Sequence, residues 1–253
     1  MESKKNLFVF GGSKGIGGVF TKNILAQNSY DVTLFSRSNP YKFDVDFREV
    51  DFCKQSDFIS VLKDCAKKKE KIHSLVFFLK YRGSDLDITS WEGEILVELE
   101  TIKNTLEILD AYLVYGASIV FTSSVVGGGL ITINQPIEYH VAKAGLEQMV
   151  RYYAVNLGKR NIRVNAVAPS LTLKPENMEF YNNQKRLVEL YCNLNPLGKM
   201  GRAEDIVEVI LFLMKVKFMT GQILRVDGGV SLQEYEWAAR EIAAFYNGED
   251  LQE

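Results

Sequence analysis

In the stretch Tyr139-His140-Val141-Ala142-Lys143 a phenol and an ammonium stand four residues apart, the interval that sets two side chains on one face of a helix. A phenol with a reference pKa of about 10 is a poor proton carrier near neutrality, and a neighbouring cation favours its phenolate. Moving that pKa by ~3 units would correspond to ~4 kcal/mol. The chemistry such a pair suits is proton exchange with a carbonyl or alcohol oxygen. The same interval is common among surface residues, so the weight falls on what surrounds it. Just upstream, Ile119-Val120-Phe121-Thr122-Ser123-Ser124 is an apolar run of strand length that ends in hydroxyls, with Val125-Val126-Gly127 after them. A hydroxyl at a strand end can donate to an oxygen on which charge is developing.

A second constellation suits an anion. Phe8-Val9-Phe10-Gly11-Gly12-Ser13-Lys14-Gly15-Ile16-Gly17 puts glycines between a strand and the mouth of a helix. Without side chains the backbone turns tightly there, and a diphosphate can approach the helix N-terminus, whose free N–H groups and dipole favour anions. Gly11, Ser13, Lys14, Gly15, Ile16 and Gly17 are the candidate contacts. NAD-selective proteins usually carry a carboxylate at the end of the second strand, but here that end reads Leu34-Phe35-Ser36-Arg37-Ser38. Arg37 can pair with a 2′-phosphate and Lys14 adds a second positive charge, so NADP(H) is favoured, with Ser36, Arg37 and Ser38 around that phosphate. The alternative is an Arg37 that is merely exposed, with NAD binding indifferently.

These groups need a scaffold. Strand-length apolar runs alternate with longer amphipathic stretches, the pattern of βαβ units around a parallel sheet. Strands are expected at Leu7–Phe10, Val32–Ser36, Arg48–Phe52, Ser74–Leu79, Ser118–Ser123, Arg163–Ala168 and Ile223–Val226. Helices are expected at Ile16–Gln27, Ser56–Lys68, Trp91–Leu113, Tyr139–Gly158 and Glu204–Lys215. A chain of 253 residues suits one doubly wound unit, and no linker, repeat or low-complexity stretch divides residues 1–253. Residues 171–200, with Pro175 and several Asn and Tyr, break the alternation and are expected to form a helical substrate lid. Residues 232–253 carry Trp237, Ala238, Ile242 and Phe245 near helical spacing, and a helical tail for packing or subunit contact is expected.

Composition removes several classes. An apolar fraction of 47% and a charged fraction of 25% exclude a disordered chain or a disulfide scaffold. A net charge of -2 argues against a nucleic-acid binder, which gathers a basic excess on one face. Lys67, Lys68, Lys69 and Lys71 read as a solvated helix C-terminus that complements the dipole. Cys53, Cys65 and Cys192 match no metal spacing and, being odd in number, make no complete disulfide framework, so reduced thiols of a cytoplasmic protein are expected. The first apolar run, Leu7–Phe10, is too short for a signal or a membrane span. His73 and His140 have no acidic or cysteine neighbour at ligand spacing, and no metal is expected.

Together, the glycine loop, the Ser123-Ser124 strand end and the Tyr139/Lys143 pair resemble the short-chain dehydrogenase/reductase family, in particular its 3-oxoacyl-carrier-protein reductase-like and sugar-modifying members. The resemblance runs to Val226-Asp227-Gly228-Gly229. It takes in Arg163-Val164-Asn165-Ala166-Val167-Ala168-Pro169, Pro196-Leu197-Gly198-Lys199-Met200-Gly201-Arg202 and Phe218-Met219-Thr220-Gly221-Gln222. It implies an α/β fold of three layers, a doubly wound Rossmann fold with a seven-stranded parallel sheet. The implied activity is that of an NADP(H)-dependent oxidoreductase interconverting a carbonyl and a secondary alcohol by hydride transfer. In that pattern Ser124, with Ser123 in reserve, and Tyr139 hold the substrate oxygen, while Lys143 contacts the nicotinamide ribose and lowers the phenol pKa. Asp51 and Phe52, ending the third strand, match the adenine contacts; Pro169, Ser170, Leu171 and Thr172 would lie beside the nicotinamide carboxamide.

Four positions depart from the family pattern. Phe10 stands where Thr usually precedes the first glycine. Phe77-Phe78-Leu79-Lys80 replaces Asn-Asn-Ala-Gly. Glu98, seven residues after Trp91, takes the place of a helix Asn that ordinarily helps relay protons. Ser124 lies two residues further from Tyr139 than usual, an excess expected around Gly127-Gly128-Gly129. Lys80 and Arg82 follow the fourth strand, whose C-terminus faces the ligand crevice, and Lys174 lies on the lid. They suggest an anionic substrate, such as a nucleotide-linked or phosphorylated sugar or an acyl group on a carrier; exposed basic residues on loops are the equal alternative. The helices from Trp91 and Tyr139 are expected to pair in a homodimer or homotetramer. A second class of function stays in view, a non-catalytic NADPH-binding sensor or scaffold, against which the retained Tyr139, Lys143 and serines argue.

Overall fold

The computed structural model describes residues 4–132 and 135–247, so the last six residues of the expected tail lie outside the described residues. The chain runs β1 (Lys5–Phe10), α1 (Gly15–Ala26), β2 (Tyr30–Ser36), β3 (Asp46–Glu49), α2 (Gln55–Lys69) and β4 (Ile72–Phe77). It continues with α3 (Ser90–Ile95), a π turn (Leu96–Glu100), α4 (Thr101–Leu109), β5 (Leu113–Thr122), α5 (Ile137–Leu157) and β6 (Arg163–Pro169). The last part comprises β7 (Thr172–Leu173), α6 (Met178–Asn182), α7 (Lys185–Asn193), β8 (Gly201–Arg202), α8 (Ala203–Lys215), β9 (Ile223–Val226) and α9 (Tyr235–Asn247). Among the described residues no helix is long and apolar enough to cross a membrane.

Seven strands form one parallel sheet in the order β3-β2-β1-β4-β5-β6-β9. The strand order reverses between β1 and β4, which opens a crevice at the carboxyl ends of the strands. Central strands buried on both faces must be largely apolar, and the buried parts of β1, β4 and β5 meet that demand with aromatic rings. In register, Phe10 lies beside Phe35 of β2 and Phe77 of β4, and Phe77 beside Phe121 of β5. Their ring centroids are 4.8, 4.5 and 4.9 Å apart. The two residues that break the family pattern at Phe10 and Phe77 therefore complete an aromatic ladder over four neighbouring strands. The ladder belongs to the core on the α2/α4/α5 face, while Leu7, Val9 and Leu34 meet Phe20 of α1 and Ile206 and Ile210 of α8 on the other.

The motif pieces at the far edge hold the sheet to α8. Arg163, buried at the start of β6, donates to the carbonyls of Leu213 (2.7 Å) and Met214 (2.9 Å), the C-terminal carbonyls that a helix leaves unpaired. Asn165 donates to Met219 O and accepts from Gln222 N, fixing the approach to β9.

Two elements differ from the sequence pattern. The third strand ends at Glu49, because Val50 N makes its last bond to Ser36 O and Asp51 then turns the chain by accepting from Cys53 N. Asp51 and Phe52 thus follow the strand rather than end it. The helix expected from Trp91 to Leu113 contains the π turn. Thr101 Oγ1 donates to Leu96 O at 2.8 Å, and Gln55 Nε2 reaches both Thr101 Oγ1 and Leu96 O, holding the widened turn open. The stretch expected as a helical lid contains α6 and α7, between β7 and β8, which pair as a small parallel clip. The tail helix α9 packs on α7, with the Arg186 guanidinium 5.4 Å from the Phe245 ring centre.

Phe10→Ala is expected to lower unfolding free energy by about 3–5 kcal/mol, the usual range for deleting a buried ring. Urea titration followed by circular dichroism measures it, and a loss below about 1 kcal/mol would mean the ladder is not a coupled unit.

Candidate active site

The crevice between β1 and β4 is lined on one side by the glycine loop. Gly11 and Gly15 adopt left-handed backbone, at φ +76 and +55. Gly17 admits no side chain, since a Cβ there would lie 2.8 Å from Gly11 O and 3.0 Å from the Phe78 ring. Phe78, the second departure of the Phe77-Phe78 pair, is therefore what packs the strand end against the helix mouth, with Phe20 on its far side. Ser13 and Ser36, both buried, join their hydroxyls at 2.7 Å and tie the loop to the end of β2. Lys14, Arg37 and Ser38 are exposed, and Arg37 donates to Gly83 O across the crevice. Ile16 is buried beneath the loop. Pro169 and Thr172 are buried, and Ser170 and Leu171 lie between them at the end of β6.

A carboxylate already sits on this cradle. Glu176, between β7 and α6, accepts from Gly15 N at 2.6 Å and from the Tyr41 hydroxyl at 3.5 Å. An anion held by the first amides of α1 is the arrangement a diphosphate would use, and Gly15 permits the left-handed backbone there. The residues present thus fit the phosphate end of a dinucleotide, and Glu176 stands in for one of its oxygens.

On the other side, α5 presents Tyr139 and Lys143, both buried, as the four-residue interval requires. Ser124, in extended backbone, caps the short turn of residues 125–128, which packs onto α5. Gly127 lies flush against that helix, where a Cβ would be 2.6 Å from Glu147 Oε1. The extra loop length is taken up here and beyond. His140 sutures it, accepting from Thr132 N through Nε2 and donating through Nδ1 to Pro136 O at 2.9 Å. Ser123 is committed elsewhere, donating to the buried Glu147 at 3.0 Å, which leaves Ser124 as the hydroxyl for the cleft.

Lys143 is 3% exposed, with its Nζ 2.7 Å from Glu98 Oε2, 3.1 Å from Thr122 O and 5.6 Å from the Tyr139 ring centre. Burial alone would push this ammonium's pKa down, but Glu98 first and then Tyr139 and Glu94 outweigh it and hold the pKa above the usual lysine value. A second ammonium, Lys80, lies 4.2 Å from the same ring centre and donates to Gln135 Oε1. Its pKa is depressed by burial, with Arg82 and Lys143 adding to the effect. Lys174 is depressed likewise, by burial and then Arg82. Glu94, four residues before Glu98, is pushed up to about 7, first by burial and then by Glu98.

Sequence reasoning groups Tyr139, Lys143, Ser124 and the glycine loop; the structure sets Tyr139 and Lys143 together on α5, Ser124 at the turn that packs on that helix, and the glycine loop at the end of β1. Sequence alone misses Glu94, His140, Glu147 and Glu176. For Glu94 the signal is present, a second carboxyl one turn before Glu98 on a face otherwise apolar; for Glu176 there is none, since its partner is 161 residues away.

A helix mouth shaped for a diphosphate, set across a crevice from a phenol with two ammonium groups, divides the labour of a dinucleotide-dependent oxidoreductase. A family model described as enoyl-(acyl carrier protein) reductase matches residues 34–231. Carbonyl reductase family member 4 of Danio rerio is 30% identical over 247 residues, covering 88% of this chain and 97% of that protein. The 3-oxoacyl-(acyl-carrier-protein) reductase FabG of Thermotoga maritima is 34% identical over 144 residues, covering 55% of this chain and 56% of that protein. A short chain dehydrogenase family protein from Francisella tularensis superposes with a TM-score of 0.79 at 27% identity, over 91% of this chain and 100% of that one. The chain belongs to the short-chain dehydrogenase/reductase family, oxidoreductases that use nicotinamide cofactors.

Because Glu176 holds the amide that a diphosphate needs, Glu176→Gln should tighten dinucleotide binding by roughly fivefold, about 1 kcal/mol of charge–dipole interaction. Titration calorimetry checks it; weaker binding in the variant would show that Glu176 supports the cradle instead of competing for it.

Proposed function

We propose that the protein interconverts a carbonyl and a secondary alcohol with NADP(H), on an anionic substrate, using Tyr139 as acid/base. The observation that carries this reading is the buried Tyr139 ring with the Lys80 and Lys143 ammonium groups 4.2 and 5.6 Å from its centre, on the helix facing the glycine cradle. Nicotinamide, when bound, supplies or accepts the hydride. Ser124 and Tyr139 hold the substrate oxygen. In reduction the Tyr139 O–H bond breaks as the new alcohol O–H forms, and the two ammonium groups stabilise the negative charge left on the phenolate. Lys143 would hold the cofactor's ribose, Asp51 and Phe52 the adenine, and Pro169 to Thr172 the carboxamide.

The phosphorylated dinucleotide is favoured because Arg37 stands exposed at the end of β2, where an NAD enzyme would have a carboxylate. Lys14, exposed beside it, adds charge of the same sign. The anionic substrate rests on Lys80, Arg82 and Lys174. Arg82 depresses the pKa of both lysines, so the three charges converge on one region of the cleft. Names of relatives point the same way, since a 3-oxoacyl group on acyl carrier protein is a carrier-bound carbonyl. The sensor or scaffold reading gains nothing from the structure's geometry, because a binder has no use for a buried phenol between two cations. Exposed Trp91, Tyr152 and Val155 on α3 and α5 support pairing of these helices in a homodimer or homotetramer. The free thiols of Cys53, Cys65 and Cys192 suit a cytoplasmic setting.

Two outcomes are expected. With a panel of carbonyl substrates, Tyr139→Phe should lose about 10²–10⁴-fold in kcat, and the native protein should oxidise NADPH well in preference to NADH. Equal residual rates in both proteins would return the sensor reading. For a phosphorylated or carrier-bound substrate, Arg82→Ala should raise KM roughly tenfold with kcat little changed, as expected for one lost charge-assisted contact. An unchanged KM would remove Arg82 from the substrate site.

A further inference from the structure

One buried carboxylate beside the site has no part in the reaction described above. Tyr139, Lys143 and Glu147 recur at four-residue intervals and share one stripe of α5. Glu147 lies two turns beyond the phenol, about 12 Å along the helix axis, too far to touch the oxygen that Tyr139 holds. It is nevertheless 4% exposed, and a carboxylate out of water is costly unless something bonds it. An apolar side chain would pack at that place without the cost, so the use of this one lies in what it binds.

Ser123 Oγ donates to Glu147 Oε1 at 3.0 Å, and the half-exposed Arg151 guanidinium stands 3.7 Å from the other oxygen, Oε2. A hydroxyl bonded to a carboxylate is held more firmly than one bonded to a neutral acceptor. The same Oε1 is the wall against which Gly127 lies flush, beside Lys143 O. Between those two contacts sits Ser124. Before it, Ser123 N donates to Val167 O of β6; after it, Gly127 N donates back to Ser124 O at 3.0 Å. From the sheet edge, Arg225 of β9 donates to Gly128 O at 3.1 Å. The residues on either side of Ser124 thus meet one carboxylate oxygen, on the helix that carries Tyr139.

We propose that Glu147 is a positioning residue which, through Ser123 and Gly127, sets the Ser124 hydroxyl at its working distance from Tyr139. The proposal rests on the reading that Ser124 and Tyr139 hold the same substrate oxygen. One of these donors comes from a strand end and the other from a helix. They converge on one oxygen only if the two elements are tied beside the site, and Glu147 is that tie. Ser124 contributes most as charge develops on the substrate oxygen, so slack in its position lowers kcat and leaves KM alone.

A double-mutant cycle tests this, with NADPH and whichever carbonyl of the panel is reduced fastest. Glu147→Ala should lower kcat roughly tenfold, with KM and the dissociation constant for NADPH unchanged. In a Ser124→Ala background the same change should lower kcat less than about twofold, because the hydroxyl it positions is gone. Glu147→Gln keeps an acceptor for Ser123 and should recover most of the rate. Should Glu147→Ala not fold, Ser123→Ala removes the same bond and takes its place in the cycle. An unaltered kcat, equal losses with and without the Ser124 hydroxyl, or a loss confined to KM or NADPH binding would each overturn the proposal. Native activity in Ser124→Ala alone would instead overturn the reading beneath it, and that single variant shows the difference.

Discussion

An ammonium buried as deeply as that of Lys143 is tolerated only if something of opposite charge is buried with it. Much of the local architecture answers that demand. Glu98 supplies the charge, Leu79 and Thr122 lend main-chain carbonyls from the ends of β4 and β5, and the π turn brings Glu98 into range. Gln55 at the start of α2 braces the turn by bonding Phe52 O, Leu96 O and Thr101 Oγ1 together. A helix that must stay wide at one point is thereby tied to the turn that follows β3.

The sheet supplies the flat ground on which this is built. Parallel register places Phe35, Phe10, Phe77 and Phe121 side by side, and offset ring pairs of this sort add about 0.5–1.5 kcal/mol each beyond their burial. The same register brings the ends of β1, β4 and β5 to one level, which is where Gly11, Lys80 and Ser124 emerge. Phe10 and Phe77, two positions that depart from the family pattern, carry rings of this continuous aromatic core.

Much of this is legible in the residues themselves. Alternating apolar runs and amphipathic stretches reveal the doubly wound sheet, and β9 at Ile223–Val226 is read to the residue because Gly221 and Asp227 bracket it. Local spacing also suffices for the phenol and ammonium, which share one helix. What is not legible depends on partners distant in the chain. The third strand stops early because Ser36 takes its last rung at Val50, and the π turn exists because a glutamine some forty residues earlier fills it. The difference between Ser123 and Ser124 is likewise set from outside, by a carboxylate on α5 that claims only the first. Periodicity reports which face a residue occupies, and it is silent about who waits there.

The Glu176 carboxylate on Gly15 N would make the affinity for a diphosphate at this helix mouth a difference between two contacts. Whatever free energy keeps that carboxylate in place would be subtracted from what a diphosphate gained on arriving. By reciprocity, anything that drew Glu176 off Gly15 N would strengthen the hold on a diphosphate by the same factor, with no direct touch between them.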